Sequence, residues 1–129
     1  MNIIISFFQD NLINAINAGI YIISIEKNGK TKPLYIGESF CVLIRCSQHL
    51  YEFKKNPEYF GFDNETIQDN NITLKFQLME SIEDQKDRKS EEKKKIKKHK
   101  PLCQNGNRDN MKSIPDKIKA IKDFLNEKI

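Results

Sequence analysis

Near the N-terminus, Ile5, Phe8, Leu12, Ala15 and Ile16 recur at helical spacing. That period predicts an amphipathic helix over residues 1–17, packed on the domain by its apolar stripe. The pattern then changes. Gly19 to Glu26 is rich in β-branched residues and reads as a strand. Lys27-Asn28-Gly29-Lys30 reads as a turn, with Asn-Gly supplying the positive φ that a tight hairpin needs. Lys32 to Gly37 is the return strand. Strand alternation puts Gly19, Tyr21 and Ile23 on one face, and Tyr35 and Gly37 likewise share a face. An antiparallel pair would therefore set Tyr21 beside Tyr35.

Ser39 is the expected N-cap of a helix through about Phe53. Its core stripe would be Leu43, Cys46, Leu50 and Phe53, with Arg45 and His49, four apart, projecting together from a different face. Residues 54–71 hold Pro57, Gly61 and several Asn and Asp, and read as a long loop. Ile72, Leu74, Phe76 and Leu78 alternate as a third strand. Ser81 to Lys100 reads as a charged helix stopped by Pro101, and Leu102 to Asn110 as a turn-rich loop. Ser113, Pro115 and Asp116 open a last helix, over residues 113–129, with a stripe of Ile114, Ile118, Ile121 and Leu125. There is no internal repeat and no shift of composition, so the 129 residues read as one domain.

Charge changes this picture in one place. The net charge is only +4, but residues 86–100 hold nine Lys or Arg against Asp87, Glu91 and Glu92. A local basic stripe of this kind suits a polyanion. The bland alternative is a solvated helix laced with Glu–Lys pairs. Three widely spaced cysteines, Cys41, Cys46 and Cys103, argue against a disulfide framework and for a reducing, cytoplasmic setting. Cys41 and Cys46, five apart on a helix, are poorly spaced for zinc, and the better-spaced pairs Cys46–His49 and His99–Cys103 lie on different elements, so buried free thiols are the better reading. The apolar N-terminus has no preceding Lys or Arg and is interrupted by Gln9, Asp10 and Asn11, so neither a signal peptide nor a membrane span is expected.

The ordered set Gly19-Ile20-Tyr21, Tyr35-Ile36-Gly37, Arg45, His49, Glu92 and Asn105 resembles the active site of the GIY-YIG nucleases. Members of that family cut phosphodiester bonds with a divalent metal. The resemblance covers residues 18–107. It implies an α+β fold, a small α/β sandwich around a three-stranded antiparallel sheet, to which this chain adds a helix at each end. It also implies roles. Tyr21 would activate water, with His49 as proton partner, and Tyr35 would orient water or phosphate. Arg45 would clamp phosphate, since a guanidinium matches two of its oxygens. Glu92 would hold Mg²⁺ or Mn²⁺, both of which take hard oxygen ligands. Ile96 and Pro101 follow Glu92 as in the family's pattern. Ile96 should face the core, so Glu92, one turn earlier, should face the sheet, while Glu91 is rotated by about 100°. Lys93, Lys94, Lys97 and Lys98 would track the DNA backbone.

Two departures from the family pattern matter. Asn105 lies one residue later than the family's asparagine, with Gln104 in the expected place, and either or neither could serve. Glu38 stands where some members carry a phosphate-contacting lysine, and reads as structural. These departures keep alive a second expectation, a nucleic-acid-binding module of the same fold without turnover. A third, a protein-interaction domain built on the Lys-rich helix, accounts for the charge but not for the tripeptides. The nuclease reading expects Tyr21, Tyr35, Arg45, His49 and Glu92 to converge on one shallow cleft.

Overall fold

The predicted turn forms with Asn28 at φ 53° and Gly29 at φ 80°, the double left-handed geometry that matches the twist of the flanking strands. It joins strands β2 (Gly19–Lys27) and β3 (Lys30–Ser39) at the centre of the molecule. The computed structural model describes residues 1–9, 12–105 and 110–127. Residue 107, where the expected core ends, and residues 128–129 of the expected last helix lie outside the described residues. The fold is mixed α+β. Its sheet runs in the order β1-β4-β2-β3, with β4 spanning Ile72–Ser81. β2 pairs antiparallel with both β3 and β4.

The expected three-stranded sheet gains a fourth strand, and the expected N-terminal helix is largely absent. Asn2–Ile5 is strand β1, paired parallel to β4 from Asn2 opposite Thr73 to Ile5 opposite Phe76. Among the described residues of 1–17, only Leu12–Ala15 is α-helical, as the short α1. Ile3, Ile4 and Ile5 form an unbroken β-branched run, which loses side-chain freedom in a helix, and β4 has an open edge whose N–H and C=O groups need partners. Tertiary pairing thus overrides a helical period drawn from scattered positions.

Helices cover both sheet faces. On one, Tyr21, Ile23, Ile25, Leu74 and Phe76 pack with Cys46 and Phe53 of α2 (Val42–Lys55) and Ile121 and Phe124 of α4 (Ile114–Asn126). On the other, Ile20 and Ile36 pack with Ile96 of α3 (Gln85–His99). Helix starts differ from expectation by a few residues. Ser39 stays in β3, and its hydroxyl bonds the backbone N–H and C=O of Cys41, the actual N-cap of α2. Ser81 likewise stays in β4, and Asp84 caps α3 by accepting from the Asp87 N–H at 2.9 Å. Ser113 caps α4 as expected. The buried face of α4 is Lys117, Ile121 and Phe124. Ile114, 40% exposed, drops out of the predicted stripe.

Residues 54–71 are more ordered than a bare loop. They form 3₁₀ turns at Pro57–Phe60 and Thr66–Gln68 and send Phe60 and Phe62, both fully buried, into the core. Beyond α3, Leu102 and Cys103 donate backbone hydrogen bonds to Pro33 and Leu34. The Gln104 amide then accepts from Ile36 N–H at 2.8 Å and donates to Ile36 C=O at 2.7 Å. This segment satisfies the outer edge of β3 at the second tripeptide.

Candidate active site

The register of β2 and β3 builds the site. Tyr21 lies opposite Gly37, and Tyr35 opposite Ile23. The two tyrosines are thus diagonal neighbours on one face, their rings stacked with centroids 6.1 Å apart. Both tripeptide glycines are required by close approach. A Cβ at Gly37 would collide with the Tyr21 hydroxyl, would lie 2.6 Å from Tyr21 Cζ and 2.9 Å from Tyr35 Cε1. A Cβ at Gly19 would lie 2.6 Å from the Glu80 carbonyl oxygen of β4.

α2 brings two more groups to that face. Tyr21 Oη sits 2.7 Å from His49 Nε2, and the His49 ring packs 4.7 Å from the ring of Tyr35. Arg45, half-buried one turn earlier, hydrogen-bonds Tyr35. His49 differs from expectation in one respect: it is fully buried and belongs to the inward stripe of α2 together with Val42, Cys46 and Phe53. Leu43 and Leu50 pack only at the margin of the core.

Glu92 is on α3, which covers the opposite sheet face, yet it is only 7% exposed and its charge reaches Tyr21. Its neighbours on α3 explain the placement. Arg88, Glu92 and Ile96 are the buried residues of the helix, each four apart, so they form one inward stripe. Glu91 points elsewhere and pairs with Lys94 at 3.3 Å. Arg88 donates to Glu38 at 2.9 Å and to the carbonyls of Ile82 and Glu83. Glu38 is therefore held by a buried arginine, which ties α3 to the end of β3.

Asn105 is not brought to the cluster. It is exposed and lies in a surface hollow with Lys112, Asp116 and Lys119. Gln104 is buried but spends its amide on Ile36. Lys93, Lys94, Lys97 and Lys98 are all exposed on the outer side of α3. The three cysteines are free and buried. Burial pushes the Cys46 and Cys103 thiols up to about 12, so both stay protonated and unreactive.

The electrostatics bear directly on the expected water-activating role of Tyr21: its pKa is raised well above the usual value, so the phenol holds its proton. Burial is the main cause. Tyr35, Cys46 and Glu92 add to it, and Arg45 opposes them. Tyr21 is fully buried and does not line an open cleft. His49 is pulled down to about 3, first by burial and then by the Arg45 charge. Both members of the 2.7 Å pair are therefore neutral at neutral pH. Burial also works against the Arg45 charge, but the neighbouring phenols and the Tyr35 bond outweigh it and raise its pKa.

Sequence reasoning missed three contributors. Tyr59, in the presumed loop, places its hydroxyl 2.8 Å from His49 Nδ1. Lys117, buried on α4, donates to the Tyr59 carbonyl at 2.7 Å. Arg88 carries the ion pair to Glu38. A signal for the first was available in the aromatic cluster Tyr59-Phe60-Gly61-Phe62, which is too apolar for a solvated loop.

No protein-family model, curated protein or solved structure matches the chain.

Proposed function

We propose that this chain is a metal-dependent DNA endonuclease with a GIY-YIG-like site. The observation that carries the reading is the 2.7 Å pair of Tyr21 and His49, flanked by Tyr35 and Arg45. Residues that are distant in sequence and matched to one motif meet around one phenol. Hydrolysis of a phosphodiester needs a base for water, a cation for the phosphoryl oxygens and charge stabilisation at the leaving oxygen. Tyr21 takes the water proton as its own passes to neutral His49. Arg45 binds the phosphate, whose negative charge offsets the cation that adds to burial in holding the His49 proton affinity down.

The metal reading rests on Glu92. Among the described residues no group of three or more His, Cys, Asp or Glu is placed to hold a metal. A single buried carboxylate fits Mg²⁺ or Mn²⁺, since Mg²⁺ is commonly held by one or two carboxylates, substrate phosphates and water. When bound there, the ion would supply neutralisation of the leaving oxygen. It would also offset the Glu92 charge that helps keep Tyr21 protonated.

One observation favours a second reading, a nucleic-acid-binding module without turnover: Tyr21 is fully buried and its proton is held tightly. Incubation with supercoiled, linear and branched DNA in Mg²⁺ or Mn²⁺ separates the two. The nuclease cuts at least one form, and Glu92→Gln lowers the rate by at least about 10²-fold, the scale of losing one strong electrostatic stabiliser. DNA affinity without metal holds or rises slightly in that variant. A wild type that binds DNA and cuts none of these forms would reject the enzyme in favour of the binder. Metal-dependent cleavage surviving Glu92→Gln would reject Glu92 as the ligand.

A further inference from the structure

His49 makes two hydrogen bonds, to Tyr21 through Nε2 at 2.7 Å and to Tyr59 through Nδ1 at 2.8 Å. A neutral imidazole has one N–H and one bare nitrogen, so it donates in one bond and accepts in the other. The three groups run from the buried interior to the half-buried Tyr59.

The turn that carries Tyr59 is built rather than incidental. The Asn56 side chain accepts from the Glu58 N–H at 3.1 Å, and the Asn56 carbonyl accepts from the Tyr59 N–H at 2.9 Å. Lys117 bonds the Tyr59 carbonyl and places its ammonium 5.4 Å from the centre of the Tyr59 ring. That lysine is only 4% exposed. Burying an ammonium is costly unless it is paired, and its bond here goes to the segment that presents the phenol. Phe60 packs edge-on against Tyr59, with ring centroids 4.9 Å apart.

We propose that Tyr59 is a positioning residue of the hydrolytic site, the outer end of an oriented Tyr21–His49–Tyr59 chain that carries the proton from the attacking water to solvent. The proposal rests on the nuclease reading given above. In the step, a water O–H bond breaks as the water oxygen bonds to phosphorus. Tyr21 Oη gains that proton while giving its own to His49 Nε2. His49 Nδ1 passes its proton to Tyr59 Oη, and Tyr59 releases one to bulk water. The broken P–O bond leaves its electron pair on the departing oxygen, which takes a proton from solvent. Each side chain keeps its proton count, but His49 ends as the Nε2–H tautomer with the hydrogen-bond direction reversed, and a return to the Nδ1–H tautomer resets the chain before the next turnover. A fully buried Tyr21 acting without such an outlet would leave the proton stranded on His49, in the low-dielectric interior beside Arg45.

Two measurements test this. Nitrogen-15 NMR of the ring nitrogens in the wild-type protein should find Nδ1 protonated and Nε2 bare. The opposite tautomer, with His49 donating to Tyr21, would overturn the orientation whether or not the protein cuts DNA. Tyr59→Phe keeps the ring packing and removes only the hydroxyl. It should lower kcat by about 10-fold, a modest share of a proton-transfer contribution, with KM within about twofold. The same variant should shift the His49 ring signals toward the Nε2–H tautomer, because Nδ1–H has lost its acceptor. The exposed Tyr51→Phe serves as control. An active wild type whose kcat and ring signals are untouched by Tyr59→Phe would sink the relay and leave the nuclease reading standing. A wild type that cuts no DNA would sink both.

Discussion

Around Tyr21, side chains from β2, β3, α2 and the Pro57–Phe60 turn meet in the buried and half-buried interior, whereas Lys93, Lys94, Lys97 and Lys98 stand in solvent along α3. The first region is neutral where it is deepest and depends on geometry: each ring nitrogen of His49 has a hydroxyl partner, and the backbone of Gly37 must stay bare for Tyr21 to lie over it. The second is charged and depends on number, since exposed lysines contribute to a field without fixed positions. On the nuclease reading, losing one atom of the buried cluster should therefore cost stability and cleavage together, and losing one charge on the basic face only a fraction of DNA capture. α3 joins the two regions. Its inner stripe, Arg88, Glu92 and Ile96, turns a carboxylate into the interior, where its charge adds to the causes that raise the Tyr21 pKa, while its outer face holds the lysines.

Acid should separate the regions most sharply. The folded protein holds His49 at about 3 against an ordinary 6.5. Between those values the unfolded chain binds a proton that the buried ring refuses. Stability is fully present above pH 6.5 and falls as the pH drops below it, by up to about 1.4 kcal/mol per pH unit for one such group. Denaturant titrations of wild type and His49→Gln between pH 6.5 and 4 check this. The variant should lack about one proton of this linkage. Equal slopes would mean that His49 titrates in the folded state as freely as in the unfolded one.

The next effect is steric. Gly37→Ala places a methyl group against the Tyr21 hydroxyl and within 2.9 Å of the Tyr35 ring. Neither ring is a flexible tip, because Tyr21 is bonded to His49 and stacked on Tyr35. Overpacking of this kind typically costs about 1–3 kcal/mol. Thermal unfolding should show that loss, and cleavage should fall further than stability alone explains as the Tyr21–His49 distance opens. An alanine variant with wild-type Tm would show that the strands give way easily and that the cluster is looser than described.

How much of this could be read from the chain follows from the range of each interaction. The hairpin and the diagonal tyrosines are local consequences of Asn28-Gly29 and strand alternation, so they were legible. The inward turn of Glu92 was legible too, because helix geometry ties it to Ile96. β1 was not, since its fate depends on the open edge of β4 some 70 residues away. Tyr59 was missed because a loop reading discards side chains, and its value depends on the non-local approach of Lys117 and His49. The exposed setting of Asn105 reflects the commitment of residues 102–104 to the edge of β3.

The smallest individual effects belong to the lysines, and they decide whether α3 takes part in DNA capture at all. Lys93, Lys97 and Lys98 have exposed side chains, and the Lys94 pair with Glu91 is itself exposed, so it contributes little to stability. Replacing them one at a time with Gln should leave folding stability within about 0.5 kcal/mol. If they lie along the phosphate backbone, each loss releases about one fewer counterion on binding. The slope of log affinity against log salt should then become shallower by about 0.9 per lysine on duplex DNA, by the same amount for every sequence tested. Accumulating all four should flatten the dependence by about 3.6. Glu92→Gln, on the inner stripe of the same helix, should leave that slope unchanged while lowering cleavage. Four substitutions that change neither slope nor affinity would place DNA on another surface and reduce the outer face of α3 to a solvated one. A slope that shifts when Glu92 is neutralised would instead mean that the two faces of the helix are not independent, and that the carboxylate contributes to the field that receives the phosphates.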